Sequence, residues 1–285
     1  MGEFVKFEVQ DHIGIVTIHR PPVNAVCESI RLDLIEIFEG LNKRIDVYCV
    51  ILRTIGPGFS GGHDLAESSG KNAYKYSIPR TINHSCDAIY RCRVPVIAAV
   101  HGYVIGMGLA YASICDMIVA SDDASFKFPE INVGTVGGPF WLKRLIPDKV
   151  AREKFYLGEP LSAQEMLNFG AINRVVPKDQ LMDAAMELAK KVAKKYPGAI
   201  WATKMCIVEG ELEMYDIVDI SARKRVRGNE DLTKGDPNKR ELTRAQLEHR
   251  EPQWDLEYLK RWENISIERG PNSNYWDYPV NPVTK

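Results

Sequence analysis

The chain is 285 residues long and carries 37 basic and 38 acidic side chains, a formal charge of −1. So balanced a charge gives no overall electrostatic case for nucleic acid or a membrane surface as partner. With 45% hydrophobic and 26% charged residues the chain can build a sizeable core, which excludes intrinsic disorder and the disulfide-stapled mini-protein class. Its length fits one large domain or two small ones.

Six cysteines (Cys27, Cys49, Cys86, Cys92, Cys115, Cys206) are scattered, without CxxC spacing or histidines placed for zinc. Free buried thiols in a reducing compartment, and no metal site, are expected. The N-terminus has no signal-peptide core, and Lys6 stands where a myristoylation motif needs Ser or Thr. The apolar run 94–120 is long enough for a membrane span. However, His101, Asp116 and Gly102, Gly106 and Gly108 interrupt it, so a buried strand–loop–helix is expected instead. The expectation is a cytoplasmic protein without a membrane segment.

In chain order, Val5, Phe7 and Val9 alternate with Lys6 and Glu8, and 14–18 forms a second strand that ends at Pro21-Pro22. From 28 to 44 the period becomes helical, with Ile30, Leu34, Ile37, Phe38 and Leu41 on one stripe. A short apolar strand, 48–53, precedes the turn Gly56-Pro57-Gly58. Strand, helix and strand at these lengths indicate a βαβ crossover and a mainly parallel sheet. Residues 67–80 are polar and aperiodic and read as a loop, followed by a helix over 81–92. A buried strand is expected at 95–100, an apolar helix near 108–115 and a strand at 117–120. From 148 onward the chain turns helical, with Leu181, Ala185, Leu188 and Val192 as a stripe. The lysines of 190–195 read as the solvated face of that helix. Beyond Arg223 the segment is dense in charge, and Tyr275-Trp276-Asp277-Tyr278 reads as part of an extended arm.

Two glycine-rich turns stand out: 59–65 (Phe-Ser-Gly-Gly-His-Asp-Leu), after the strand that ends at Arg53, and 101–108, after the strand that ends at Val100. Glycine lets backbone approach a ligand and expose consecutive N–H groups. Two such turns, each leaving a strand's carboxyl end, can aim one N–H apiece at a single oxygen, helped by a helix dipole if the second opens a helix. Neither turn is a dinucleotide fingerprint or a phosphate loop, and no Gly-x-Ser-x-Gly elbow is present. Glu130 is a lone carboxylate in an apolar stretch, where desolvation raises its pKa toward the range of a general acid or base.

Several of these motifs, in order, resemble the enoyl-CoA hydratase/isomerase (crotonase) family: 18–25, the Gly61 turn, 94–108 with 115–120, 126–138, and 158–170 with 171–177. Together they cover roughly residues 3–254. The resemblance implies an α/β fold, a crotonase-like spiral of ββα units with a helical C-terminal section, assembled as homotrimer or homohexamer. It also implies an acyl-CoA thioester as substrate, with coenzyme A part of the substrate and no separate cofactor. Carried over by position, the oxyanion donors are the N–H groups of Gly61 and Met107. Gly62, His63, Asp64 and Leu65 line the pantetheine and acyl path, Ala25 and Val26 lie near the CoA entrance, and Gly138 and Trp141 belong to the pocket wall. Asp116 matches a recurrent aspartate with a structural role.

Hydratases of this family use two glutamates. One matches Glu130, but the other falls at Ala110, so paired-carboxylate hydration lacks half its machinery. A single glutamate suffices for double-bond isomerisation, which is the first expectation. Hydration–lysis or C–C bond hydrolysis of an unusual acyl group is the alternative, with His63, His84, Tyr111 or Ser113 as helpers; His101 reads as structural. Outside enzymes, the competing expectation is a non-catalytic CoA- or RNA-binding homologue, using 190–195 and 223–227, or an assembly scaffold. The expected division is a core over 1–200, a helical trimerisation section over 201–254 and an extension with an arm over 255–285.

Overall fold

The computed structural model describes residues 2–64, 66–67, 77–133, 139–212, 250, 253 and 255–260. The first pair of strands, β1 (Val5–Gln10) and β2 (Ile13–Ile18), is antiparallel and closes through Asp11 and His12, both at positive φ (49° and 64°). A two-residue turn of that hand matches the twist of the strands it joins. Helix α1 (Glu28–Leu41) follows and buries Ile30, Leu34, Ile35, Phe38 and Leu41. It ends three residues before the expected 44, where Asn42 N–H turns back to Glu39 C=O and Lys43 N–H to Gly40 C=O.

The chain continues with β3 (Cys49–Thr54), helix α2 (Ser77–Tyr90), β4 (Val96–Val100), β5 (Tyr103–Ile105), α3 (Met107–Ile114), β6 (Met117–Ser121) and β7 (Ser125–Lys127). A 3₁₀ turn (Glu130–Val133), α4 (Pro139–Leu145), α5 (Asp148–Leu157), β8 (Leu161–Ser162), α6 (Ala163–Asn168), β9 (Arg174–Val176), a second 3₁₀ turn (Lys178–Gln180), α7 (Leu181–Ala193), α8 (Pro197–Leu212) and α9 (Leu256–Leu259) complete the described elements. Helix α2 begins inside the stretch expected to be a loop, at Ser77 rather than 81.

Two strands followed by a helix recur along the chain. The larger sheet has the order β1-β2-β3-β4-β6-β9, parallel throughout except at β1–β2. The smaller sheet, β5-β7-β8, takes the second strand of later units. Its strands are two or three residues long, too short for any periodicity to reveal them. A parallel bridge, Ser60 to Val104, extends it toward the 59–64 turn.

The β3 and β4 strands are buried on both faces, which explains their unbroken apolar runs. Val50, Leu52, Val96, Ala98 and Val100 face the main core with α1 and α3, whereas Cys49, Ile51, Ile97 and Ala99 meet Leu181, Ala185 and Ala189 of α7. The buried stripe of α7 therefore runs through Ala189, with Leu188 and Val192 only partly covered. Lys190, Lys191, Lys194 and Lys195 lie on the exposed side of its last turns.

The division at 200 falls inside α8, and Trp201, Met205 and Val208 belong to the main core, so the helix cannot be split between two units. Leu259 in α9 is fully buried in the same core, so the chain beyond 254 begins as a packed helix. The charged 223–227 cluster and the aromatic arm at 275–278 lie outside the described residues. All six cysteines are free thiols, five of them buried. No described helix is long and apolar enough to cross a membrane.

Candidate active site

The parallel pairing of β5 with β7 (Tyr103 with Ser125, Ile105 with Lys127) puts the exits of the two strands side by side. From β5 the chain passes through Gly106 into α3. From β7 it passes through Phe128 and Pro129 to Glu130. Gly106 N–H donates to Lys127 C=O at 2.8 Å, which pins the two exits together.

Glu130 and the first turn of α3 meet here. Gly106 caps α3 with φ +51°, and a Cβ at this position would lie 2.9 Å from Glu130 Oε1. Only glycine meets both conditions. Glu130 is half-buried, and its Oε2 is sequestered from solvent without a hydrogen-bond partner among the described residues. Burial raises its carboxyl pKa above the usual range. An unsatisfied carboxylate costs stability, which marks Glu130 as a group held ready for a proton or a ligand.

The 59–64 turn approaches the same place. A Cβ on Gly62 would lie 3.3 Å from Ile105 O and 3.8 Å from Met107 N, and one on Gly106 would lie 3.8 Å from Gly62 Cα. The expected donor in this turn needs correction. Gly61 N–H donates to Val23 C=O at 2.8 Å and is committed within the chain. Gly62 N–H donates to Ser60 Oγ at 3.1 Å.

Val26 N–H donates to Gly62 C=O at 2.8 Å, and Asp64 N–H donates to Val26 C=O at 3.1 Å. These bonds form a parallel bridge between Val26 and His63. Since a peptide is planar and trans, the C=O of Gly62 pointing at Val26 turns the N–H of His63 to the opposite side. No sequence motif reveals that orientation, because it depends on where Val26 sits.

The remaining sequence-based candidates divide clearly. The His63 ring is half-buried, and burial followed by the Arg31 charge lowers its pKa, so it is a neutral imidazole near pH 7. Asp64 is held by Arg20 (2.7 Å) and accepts the N–H of Ala66, so its carboxylate shapes the turn. Val26 is 1% exposed, and its backbone and side chain are both occupied, which corrects its expected place at the CoA entrance. Ala25 remains partly exposed while its carbonyl accepts from Arg20. Leu65 and Gly138 lie outside the described residues, and of Trp141 only the backbone in α4 is described.

The proposed helpers are engaged elsewhere. Tyr111 and Ser85 hydroxyls are bonded at 2.8 Å in the core. Ser113 donates to Ala110 C=O. The half-exposed His84 ring lies 2.7 Å from Glu39. His101 donates from Nε2 to Gly56 C=O and holds the 56–58 turn, a structural role. Asp116 is structural too: its Oδ2 accepts from Val96 N–H at 2.7 Å and from Lys204 Nζ at 2.6 Å. Ala110, the position that the resemblance gives to the second glutamate, is 4% exposed in α3.

A family model described as enoyl-CoA hydratase/isomerase matches residues 8–257. A hydrolase of (7aS)-7a-methyl-1,5-dioxo-2,3,5,6,7,7a-hexahydro-1H-indene-carboxyl-CoA from Rhodococcus jostii is 35% identical over 69% of this chain and 77% of its own length. Carnitinyl-CoA dehydratase from Citrobacter koseri is 35% identical over 72% of this chain and 80% of its own. The crystal structure of an enoyl-CoA hydratase from Mycobacterium smegmatis superposes with a TM-score of 0.80 at 28% identity, covering 89% of this chain and 99% of that one. The fold is therefore the crotonase fold.

Proposed function

The chain belongs to the enoyl-CoA hydratase/isomerase family, and from that premise we propose that it turns over an acyl-CoA through a thioester enolate with one carboxylate, Glu130, as its acid/base. The single observation that carries this reading is the buried Oε2 of Glu130, without a partner among the described residues, beside the N-terminus of α3. The thioester oxygen takes hydrogen bonds from Met107 N–H, assisted by the α3 dipole, and from His63 N–H in place of Gly61. Each such donor is worth about 10²–10³ in rate.

Among reactions open to one carboxylate, hydrolytic cleavage of a C–C bond beside a ring ketone is favoured by the kinship with the dioxo-indene-carboxyl-CoA hydrolase. Glu130 accepts a proton from water, and the resulting hydroxide adds to the ketone carbon β to the thioester. The bond between that carbon and the α-carbon breaks, and its electron pair becomes the enolate held by the two N–H groups. Glu130 then returns its proton to the α-carbon, leaving a carboxylate and a saturated acyl-CoA. One group serves as base and then as acid, so the alanine at 110 is no obstacle. Double-bond isomerisation is the second reading. It needs no water, and one carboxylate that removes and returns a single proton suffices for it. Coenzyme A enters as part of the substrate, no other cofactor is required, and a homotrimer or homohexamer is proposed for the assembly.

Purified protein incubated with cyclic 2-(thioester)-ketone CoA substrates and, separately, with 3-enoyl-CoA tests both readings by mass spectrometry. Gain of one water identifies hydrolysis, and an unchanged mass with new conjugated absorbance identifies isomerisation. Turnover that survives Glu130→Gln undiminished sinks the acid/base assignment.

A further inference from the structure

The residue joining the two turns is Ser60. It is 3% exposed and bonded in four directions. Its Oγ donates to Asn24 C=O at 2.7 Å and accepts Gly62 N–H at 3.1 Å. Its own N–H donates to Tyr103 C=O at 3.1 Å, and its C=O accepts Ile105 N–H at 3.0 Å. Its side chain also lies against the first turn of α3. A Cβ on Gly108 would come within 2.5 Å of Ser60 Cβ, so glycine at 108 is what lets the two segments touch.

Asn24, 2% exposed, anchors the far end. Its Nδ2 donates to Ile55 and Gly58 carbonyls at 3.0 and 2.9 Å, and its Oδ1 accepts Arg20 N–H at 2.8 Å.

We propose that Ser60 is a positioning residue for the oxyanion site: its hydroxyl fixes the tilt of the peptides that present His63 N–H, and its Cβ contact with Gly108 holds that peptide in register with Met107 N–H. The inference rests on the enolate reading given above. Without Oγ, Gly62 N–H is a buried donor with no acceptor, and the Gly62–His63 segment relaxes to find one. An aim error of a fraction of an ångström weakens charge stabilisation at the oxygen steeply. The coenzyme portion of the substrate does not depend on that aim.

Acetoacetyl-CoA provides the probe, since a 3-oxo thioester bound between two N–H donors ionises and its enolate absorbs in the near ultraviolet. Wild type and Ser60→Ala are titrated with acetoacetyl-CoA, read by enolate absorbance, and with coenzyme A, which lacks the thioester carbonyl, read by calorimetry. The expected result is an enolate fraction about tenfold lower in Ser60→Ala with coenzyme A affinity within about twofold of wild type. Gly108→Ala, which forces the same contact apart from the other side, loses the enolate band in parallel. Enolate formation equal to wild type in Ser60→Ala overturns the proposal and leaves the enolate reading intact. Equal losses for acetoacetyl-CoA and coenzyme A also overturn it, because they mark a general structural role. A wild-type protein that binds acetoacetyl-CoA without any enolate band removes the enolate reading itself, and the proposal with it.

Discussion

Glu130 and Asp116 occupy opposite situations within the same half of the chain. Asp116 leads into β6 with its Oδ2 shared between Val96 N–H and the Lys204 ammonium, whose side chain is only 4% exposed. Glu130 leaves β7 with one oxygen against Gly106 and the other buried without a partner among the described residues. The Asp116 carboxylate is satisfied, joining β4, β6 and α8. Glu130 keeps one oxygen buried and unsatisfied among the described residues, and the rest of the fold tolerates that cost. Under the proposed function, the contrast separates a carboxylate used for stability from one kept for chemistry, although both are acidic residues at strand ends.

The comparison can be broken most directly at Glu130. Replacing it with glutamine is expected to lower turnover by about 10³-fold with folding preserved, since general acid–base groups contribute about 10²–10⁴; single-turnover kinetics on whichever substrate is converted provide the measurement. Gly106→Ala is next. Its Cβ collides with Glu130 Oε1 and occupies a positive-φ position, so activity drops about 10²-fold and stability by about 1–3 kcal/mol. Activity near wild type in that variant contradicts the placement of Glu130.

At the other carboxylate the effect reverses. Asp116→Ala strands a buried ammonium and is expected to cost about 3 kcal/mol in denaturant unfolding, with little change in kcat for the protein that remains folded. A large kcat defect there, with stability intact, removes the distinction drawn between the two sites.

The smallest effects concern protons. Because Glu130 has a raised folded-state pKa, its desolvation penalty is fully present at high pH, where the group is ionised in both states. The penalty fades as pH falls through that raised value and vanishes below the unfolded value. Glu130→Gln is therefore more stable than wild type at neutral pH, with the difference closing toward acid. In catalysis the acidic limb of the kcat profile lies above the ordinary glutamate range, and it disappears in the glutamine variant. A stability gain that is the same at every pH shows that the carboxyl is not desolvated.

Local pattern was sufficient for much of the architecture. The apolar runs of β2, β3, β4 and β6 were readable because parallel strands covered on both faces cannot afford polar residues. The stripe of α1 was readable because one face of that helix is buried. Glu130 stands out in the sequence because a charge in an apolar stretch has few structural uses, and the alanine at 110 restricts the chemistry that the resemblance implies.

Tertiary structure alone decided how the amides of the 59–64 turn are oriented. Every residue there carries an N–H, and its direction is set by the atom it bonds. Gly61 is turned inward by Val23, and His63 is turned the other way by Val26, partners separated from them by a whole helix and strand. The same non-locality hid the short strands β5, β7 and β8 and the place of Ser60 between the turns. A sequence records which groups are available, whereas the orientation of a peptide depends on neighbours that only the folded chain brings together.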